Sequence, residues 1–266
     1  MEFAFIGGGN MGRALAAALI GQGVCPPDRI LLVEPDPAAR AGLQELGCRV
    51  IERADGLVGG ARAVILAVKP QSAQQVFAEL RPLLTAEQVA ISIMAGVSLA
   101  AIRDGLDHGA AVRVMPNTPA QVGLGMSVFF PDPSVTAGQL KSVAALLGSC
   151  GEVLQVSSED AIDAATAVSG SGPAYVFYFA EHWMKAAEAL GFTQSEAELL
   201  VQQTLLGATT LWRQQNLPAG KLREQVTSKG GTTAAALEFF QAAEVGTRLE
   251  GGIEKAYRRA KELGAR

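Results

Sequence analysis

Residues 3–12 read FAFIGGGNMG, four apolar residues followed directly by a glycine-rich turn. Gly7, Gly9 and Gly12 match the spacing G-x-G-x-x-G. In that motif the first glycine permits a tight turn, the second lets backbone approach a pyrophosphate, and the third lets a helix pack on a strand. Because the chain contains 30 glycines, the spacing alone is weak evidence, and its surroundings must decide.

The sequence around the turn predicts a βαβ unit. An apolar strand precedes the turn, a helix pattern covers residues 10–22, and a second apolar run, Ile30 to Val33, follows. The helix N-terminus then directs its partial positive charge at the turn, which favours a bound nucleotide pyrophosphate over a plain structural turn. The residues expected to bind the cofactor here are Gly7, Gly8, Gly9, Asn10, Met11 and Gly12.

The end of the second strand bears on cofactor choice. Glu34 lies 22 residues beyond Gly12, near the position where an acidic side chain binds the ribose 2′-hydroxyl in dinucleotide folds. With Asp36 close by, a 2′-phosphate is disfavoured there, although Arg40 is near enough to swing back. Both carboxylates would equally suit the cap of a helix beginning near Pro37. The two interpretations stay open, and the cofactor is expected to be NADPH or NADH.

Strand and helix patterns alternate as far as residue 156. Further strands are predicted at residues 49–51, 63–68, 89–94, 111–114, 126–130 and 151–156, which indicates an α/β, doubly wound (Rossmann-like), mostly parallel sheet. Ligands of such sheets lie beyond the carboxyl ends of the strands. We therefore expect cofactor contacts from Ala67, Val68, Lys69, Pro70 and Asn117, the last held in a helix-free loop between two prolines.

From residue 157 the sequence becomes helical throughout, which predicts a dinucleotide-binding domain at 1–158 and an all-α domain at 159–266 for dimerisation and substrate binding. Residues 174–180 open a long helix and are apolar on every side, so we expect a second copy of the chain to cover them. The segment TSKGGTT at 227–233 concentrates hydroxyls and glycines at a helix start. It predicts a nest for a carboxylate or phosphate, rather than an ordinary helix cap.

Composition excludes several classes of partner. A net charge of −4 with 18% charged residues offers no basic surface for nucleic acid or an anionic membrane. No apolar run is long enough to span a bilayer, and the chain enters a core strand at Phe3, so we expect a soluble, cytoplasmic protein without a signal. Cys25, Cys48 and Cys150 are widely spaced, which indicates reduced thiols. The two histidines lack ligand partners nearby, so no metal is expected.

Together the motifs FIGGGNMG (5–12), AVKP (67–70), VRVMPNTPA (112–120), SGSGPAYVF (169–177) and VTSKGGTT (226–233) make the whole chain resemble pyrroline-5-carboxylate reductases. The resemblance implies hydride transfer from NAD(P)H to the C=N carbon of 1-pyrroline-5-carboxylate, giving L-proline, without a metal or a covalent intermediate. It also implies a homodimer or a higher oligomer such as a decamer, with the anion loop of one chain completing its neighbour's cofactor cleft. Lys229 stands where the family usually has proline.

Within this picture the substrate-binding residues are expected to be Ser228, Gly230, Gly231, Thr232 and Thr233. Thr233 is the predicted catalytic residue, because its hydroxyl can donate to the ring nitrogen as that atom becomes basic. A β-hydroxyacid dehydrogenase is the alternative enzyme and would need Lys185 as its acid, yet that lysine pairs with Glu181 at helical spacing as surface lysines do. A non-catalytic NAD(P)-binding regulator is the alternative outside catalysis.

Overall fold

The computed structural model describes residues 1–264 and contains one eight-stranded sheet. Its strands are β1 (Phe3–Ile6), β2 (Ile30–Val33), β3 (Arg49–Ile51), β4 (Ala63–Leu66), β5 (Val89–Ser92), β6 (Ala111–Met115), β7 (Gly125–Pro131) and β8 (Gly151–Gln155). They lie in the order β3-β2-β1-β4-β5-β6-β7-β8. Every neighbouring pair is parallel except β6 with β7. The doubly wound, mostly parallel sheet is therefore confirmed.

The helices within the described residues are α1 (Asn10–Gly21), α2 (Pro37–Gln44), α3 (Ala73–Leu80), α4 (Leu99–Leu106), α5 (Ala137–Gly148), α6 (Asp160–Ala165), α7 (Gly172–Ala189), α8 (Gln194–Gln215), α9 (Ala219–Gln225), α10 (Thr232–Ala242) and α11 (Val245–Gly264). Thr193 caps α8 with a reciprocal capping box, in which its side chain and Glu196 satisfy each other's backbone amides. None of the helices in residues 1–264 is long and apolar enough to cross a membrane.

Alternate side chains of the central strands pack into two separate buried layers, one on each face of the sheet. Phe3 and Phe5 of β1 pack on one side, while Ala4 and Ile6 pack on the other. This explains why the strands read as continuous apolar runs, since a parallel sheet covered by helices on both faces has no solvent side. The first strand sits at the centre and carries the glycine turn at its carboxyl end.

Contacts divide the chain into two compact units. The sheet unit contains Met1–Pro173 and the stretch that begins at Lys255, and the helical unit contains Ala174–Glu254. Helix α6 belongs to the sheet unit because buried Arg113 of β6 pairs with Glu159 (2.9 Å) and Asp163 (2.6 Å). The division into domains 1–158 and 159–266 stays a prediction.

Several predicted boundaries were wrong in detail. The strand predicted at 63–68 ends at Leu66, and the strand predicted at 126–130 spans Gly125–Pro131. The proline loop is not free of helix, because Thr118–Val122 forms a 3-10 turn with Pro119 in its first positions, where a missing N–H costs nothing. After α6 the chain continues as a π-helical segment, Thr166–Gly170, which we call the π turn.

Candidate active site

The glycine turn after β1 has the geometry that its motif predicts. Gly7 has φ +104°, and a Cβ there would lie 2.6 Å from the Ala67 carbonyl oxygen. A Cβ on Gly12 would collide with the carbonyl oxygen of Gly7. A Cβ on Gly9 would meet nothing within 4 Å, so the space above this glycine is open. The turn therefore needs glycine at its two ends for packing and leaves room at its middle for a ligand.

The N-terminus of α1 faces this opening with its amides unused by side chains. Gly9 is the N-cap and provides no capping side chain, and the first turn contains no acidic residue. Arg13 donates the first helical hydrogen bond, to Gly9, so the amides of Asn10 to Gly12 precede the helical ladder. Free amides and a positive helix end fit the pyrophosphate of a dinucleotide.

Glu34 is held beside the turn by two backbone amides. Its Oε2 accepts from the Gly8 amide at 2.8 Å, and its Oε1 accepts from the Asp36 amide at 3.0 Å. Asp36, in contrast, is the N-cap of α2 and accepts from the Ala38 amide. The two interpretations of this acidic pair thus divide between its members, with Asp36 as the cap and Glu34 next to the phosphate turn.

Arg40 holds the backbone of the loop that follows β2. Its Nη1 donates to the carbonyls of Glu34 (2.9 Å) and Pro35 (2.7 Å), and its Nη2 lies 3.6 Å from Glu52. The guanidinium is therefore engaged with the loop backbone and does not pair with the Glu34 carboxylate.

A groove of about 640 Å³ runs beyond the carboxyl ends of β1 to β4. Its lining includes Gly7, Val33 and Pro35, and also residues that the sequence reasoning missed: Glu52, Arg53, Ser72, Gln75 and Val76. Glu52 and Arg53 directly follow β3. They could have been predicted from the sequence, because ligands of such sheets lie beyond the carboxyl ends of the strands. The groove is suited to the adenosine half of a dinucleotide.

A smaller cleft of about 250 Å³ lies on the other side of the turn. Met11, Ala67, Val68 and Asn117, four of the expected cofactor contacts, line it, whereas Lys69 and Pro70 are exposed and lie outside the lining. The remaining walls are Ile93, Met115, Pro116, Thr118 and Gly170. Ile93 and Met115 lie at strand ends and were predictable from topology, but nothing in the sequence brings Gly170 to this cleft.

The side chain of Asn117 is used within the protein. Its Oδ1 accepts from the Met126 amide at 2.8 Å, and its Nδ2 donates to the Ser169 carbonyl at 3.1 Å. These bonds connect the loop after β6 with β7 and with the π turn. Asn117 thus borders the cleft while both ends of its amide are hydrogen-bonded to backbone.

In the helical unit, the anion loop (residues 227–233) leads directly into α10. Gly230 has φ +73°, and the Gly231 amide donates to the Ser228 carbonyl at 3.1 Å. Gly231 is the N-cap and has no capping side chain; the first helical bond runs from Ala235 to Gly231. Thr232 and Thr233 therefore carry amides that precede the helical ladder, and the Thr233 hydroxyl does not cap the helix.

The hydroxyl of Thr227 and the amine of Lys185 both have hydrogen-bond partners within the protein. Thr227 donates its hydroxyl back to the Arg223 carbonyl, four residues earlier, so it is not free for a ligand. Lys185 pairs with Glu181 on the exposed face of α7, and this hydrogen bond raises the pKa of the lysine. Lys185 has the surface pairing that its spacing predicts.

None of the three cysteines lines the groove or the smaller cleft. Cys25, Cys48 and Cys150 are free, and burial raises the pKa of each, that of Cys48 to about 11. They are thus protonated near neutral pH and poor nucleophiles. Across residues 1–264, no group of three or more His, Cys, Asp and Glu side chains is arranged to hold a metal ion.

Comparisons with known proteins connect both units to one family. The family model for pyrroline-5-carboxylate reductase dimerisation matches residues 159–263, and the model for coenzyme F420-dependent NADP oxidoreductases matches residues 2–96. A pyrroline-5-carboxylate reductase of Pseudomonas aeruginosa is 38% identical over 264 residues, which cover 98% of this chain and 96% of the relative.

Solved structures agree with these matches. A pyrroline-5-carboxylate reductase of Coxiella burnetii superposes with a TM-score of 0.91 at 35% identity, with 98% of each chain covered. A pyrroline carboxylate reductase of Plasmodium falciparum, solved with NADP bound, gives a TM-score of 0.89 at 26% identity, covering 99% of this chain and 98% of that one. The likeness extends through both units.

Proposed function

The chain belongs to the pyrroline-5-carboxylate reductase family, and from this premise we propose that it reduces 1-pyrroline-5-carboxylate to L-proline, the last step of proline biosynthesis. It is an NAD(P)-dependent oxidoreductase. The observation that supports this activity most is that two helices of the chain begin with amides that no side chain caps. The N-terminus of α1 follows the glycine turn and suits a pyrophosphate, and the N-terminus of α10 is surrounded by hydroxyls and suits a small carboxylate.

In the sheet unit, the chain's own residues would hold and shield the cofactor. Amides at the start of α1 bind the pyrophosphate, and the Glu34 carboxylate lies where it can accept a ribose hydroxyl. Met11, Val68 and Ile93 give the smaller cleft an apolar wall that excludes water from a flat ring. When bound, NAD(P)H supplies the hydride.

In the helical unit, the anion loop would hold the substrate carboxylate. The Gly231 amide already donates to Ser228, so the amides left for a ligand are those of Gly230, Thr232 and Thr233, together with the Ser228 hydroxyl. The Thr233 hydroxyl would then face the ring nitrogen, two bonds from the carboxyl carbon. As the adjacent carbon is reduced, that nitrogen becomes a basic amine, and a hydroxyl donor there stabilises the developing charge and relays a proton.

We propose a homodimer formed through the helical unit, with the anion loop of one chain completing the cofactor cleft of its neighbour. The dimerisation family match and the exposed apolar side chains of α7 support it. A higher oligomer such as a decamer would be built from these dimers. We place the enzyme in the cytoplasm because its three cysteines are free thiols.

The test is a purified-protein assay that follows the loss of reduced nicotinamide absorbance on adding 1-pyrroline-5-carboxylate, with proline identified by mass spectrometry. Formation of proline with stoichiometric cofactor oxidation is the expected result. Turnover of a β-hydroxyacid with oxidised cofactor, and none of the pyrroline, would replace the proposal with the dehydrogenase alternative. Tight cofactor binding without turnover of either substrate would favour a non-catalytic regulator.

A further inference from the structure

The smaller cleft of the sheet unit has a wall that comes from distant sequence. Gly170, at the end of the π turn, faces Met115 so closely that a Cβ on Gly170 would lie 2.6 Å from the methionine Cε. Met115 and Gly170 both line the cleft. The position of the π turn therefore sets the width of the cleft on this side.

The π turn is closed by one wide hydrogen-bonded ring, in which the Ser171 amide donates to the Thr166 carbonyl at 2.8 Å. The hydroxyls of Thr166 and Ser169 donate to the carbonyls of Ile162 and Ala165, four residues earlier in each case. Such π-helical segments are rare, and short ones occur often at functional sites. Contacts from outside the turn also hold it against the sheet.

Two polar contacts do so from β6 and the loop that follows it. Buried Arg113 pairs with Glu159 and Asp163, which fixes the start of α6. Asn117 fixes the π turn itself, because its Nδ2 donates to the Ser169 carbonyl while its Oδ1 accepts a hydrogen bond from the Met126 amide. The locked oxygen orients the amide so that its N–H points to the π turn and not into the cleft.

We infer that Asn117 is a positioning residue, which fixes the π turn and thereby the contact between Met115 and Gly170 that forms one wall of the smaller cleft. It acts on turnover through the shape of this wall and contributes little to cofactor affinity. The inference rests on the proposed reductase activity for its kinetic readout only. Cofactor affinity and backbone exchange test it independently of turnover.

The decisive variant is Asn117→Asp, which keeps the acceptor for the Met126 amide and replaces the donor to Ser169 with an oxygen. We expect kcat to fall by up to about 10²-fold, since small displacements of reacting groups have effects of that order. The Kd for NADPH and NADH without substrate should stay within about 2-fold of wild type, since the pyrophosphate site at α1 is untouched. Deuterium uptake over residues 166–171 should rise.

A pH series separates loss of the donor from general damage. When the introduced carboxyl is protonated, it can donate to Ser169 again, so the ratio of variant to wild-type kcat should rise as the pH is lowered towards about 4. Thr166→Val is the matched control, because it removes a side-chain bond to Ile162 within the same turn and leaves the Asn117 contact intact. It should keep kcat, Kd and uptake within about 2-fold of wild type.

Gly170→Ala changes the same wall of the cleft with Asn117 unchanged. The added methyl meets the flexible end of Met115, so the fold should survive while the cleft narrows, and kcat should fall with cofactor Kd unchanged. The inference is overturned if Asn117→Asp weakens cofactor binding about 10-fold without greater uptake, or if uptake and kcat both stay at wild-type values. If wild type reduces no pyrroline, the proposed function fails, and uptake and cofactor Kd still decide the role of Asn117.

Discussion

The two units differ sharply in how much of themselves they bury. In the sheet unit, strands β1, β2, β4 and β5 are buried along their whole length. In the helical unit, the buried hydrophobic side chains among residues 174–254 are only Ala187, Ala197 and Val201. Phe177 and Phe239 of this unit are 69% and 71% exposed. The sheet unit has a complete hydrophobic core, whereas the helical unit leaves large apolar side chains exposed.

The contrast extends to chemistry. The glycine turn, Glu34 and the smaller cleft are assembled by hydrogen bonds within the sheet unit alone. The anion loop has open amides, and in the proposed function it is half of a site, since a carboxylate nest carries out no reduction without a cofactor beside it. Cofactor binding should therefore be a property of the single chain, and turnover a property of the assembly. The predictions below test that division.

The largest effect is expected from Phe177→Glu in the helical unit. Placing a charge on the apolar face that the proposed second copy covers should abolish dimerisation, because burying an unpaired carboxylate costs several kcal/mol or more. Light scattering should report a monomer at micromolar concentration, with turnover lost and cofactor binding retained. Val24→Glu places the same charge at an exposed apolar site of the sheet unit and should leave the mass unchanged. A dimeric, active Phe177→Glu variant would break the contrast between the units.

The next effect concerns the anion loop. Thr233→Val keeps the shape and removes the hydroxyl, so kcat should fall by a factor of about 10² to 10⁴, as is typical for loss of general acid catalysis. The cofactor Kd should not change, because the cofactor turn lies in the other unit. Thr233→Ser retains the hydroxyl and should recover most of the rate. Turnover of Thr233→Val within a few-fold of wild type would remove the catalytic role.

The sequence predicted the strands of the sheet unit more accurately than it predicted the side-chain contacts between them. Its strands are short apolar runs followed by Gly, Pro or charged residues, and local pattern alone determines them. The Asp36 cap and the Thr193 capping box also depend on residues a few positions apart, so they were visible in the sequence. Asp36 and Glu34 offered the same local signal, and only the fold distinguished them.

Contacts across long sequence separation were not predictable. Arg113 pairs with Glu159 and Asp163 across 46 and 50 residues, and no local pattern indicates a buried arginine there. Likewise, the π turn depends on Asn117, whose donor meets Ser169 at a separation of 52 residues. Such contacts arise when the sheet brings strand ends together, which is why the site's walls were harder to predict than its glycine turn.

A moderate effect is expected at Glu34, which can sharpen the account of the sheet unit. Two amides hold its carboxylate in place, so it cannot rotate away from a 2′-phosphate, and like charges a few ångströms apart cost on the order of 1 kcal/mol when partly shielded. Wild type should therefore use NADH well. Glu34→Ser should raise the ratio of kcat/KM for NADPH over NADH by about 10-fold.

Asp36→Ser is the control for that change, because serine also caps a helix and the substitution removes a neighbouring charge without touching Glu34. Its cofactor ratio should move much less than that of Glu34→Ser. A strong NADPH preference in wild type that Glu34→Ser leaves unchanged would show that Arg53, which lines the same groove, or Arg40, which is bonded to the Glu34 carbonyl, decides the choice instead.

The smallest effect is expected where the chain returns to the sheet unit. Asp160 of α6 accepts hydrogen bonds from Lys261 and Tyr257 of α11, and these lower its pKa. A lowered folded pKa means that the contribution to stability is full above the unfolded value, about 3.9, and disappears as the pH falls through the folded value. Lys261 donates hydrogen bonds to Asp160 and Tyr257, which raises the pKa of the lysine, so its contribution is full below about 10.4 and is lost at higher pH. Asp160→Asn should therefore lower the Tm by on the order of 1–2 °C between about pH 5 and 9. The difference in Tm from wild type should vanish near about pH 3. Asp107→Asn is the control, because Asp107 is exposed and has left-handed backbone, and its Tm difference from wild type should show no such pH dependence. A Tm difference for Asp160→Asn that persists unchanged in acid would mean that the end of α11 is held to the sheet unit by packing and not by this cluster.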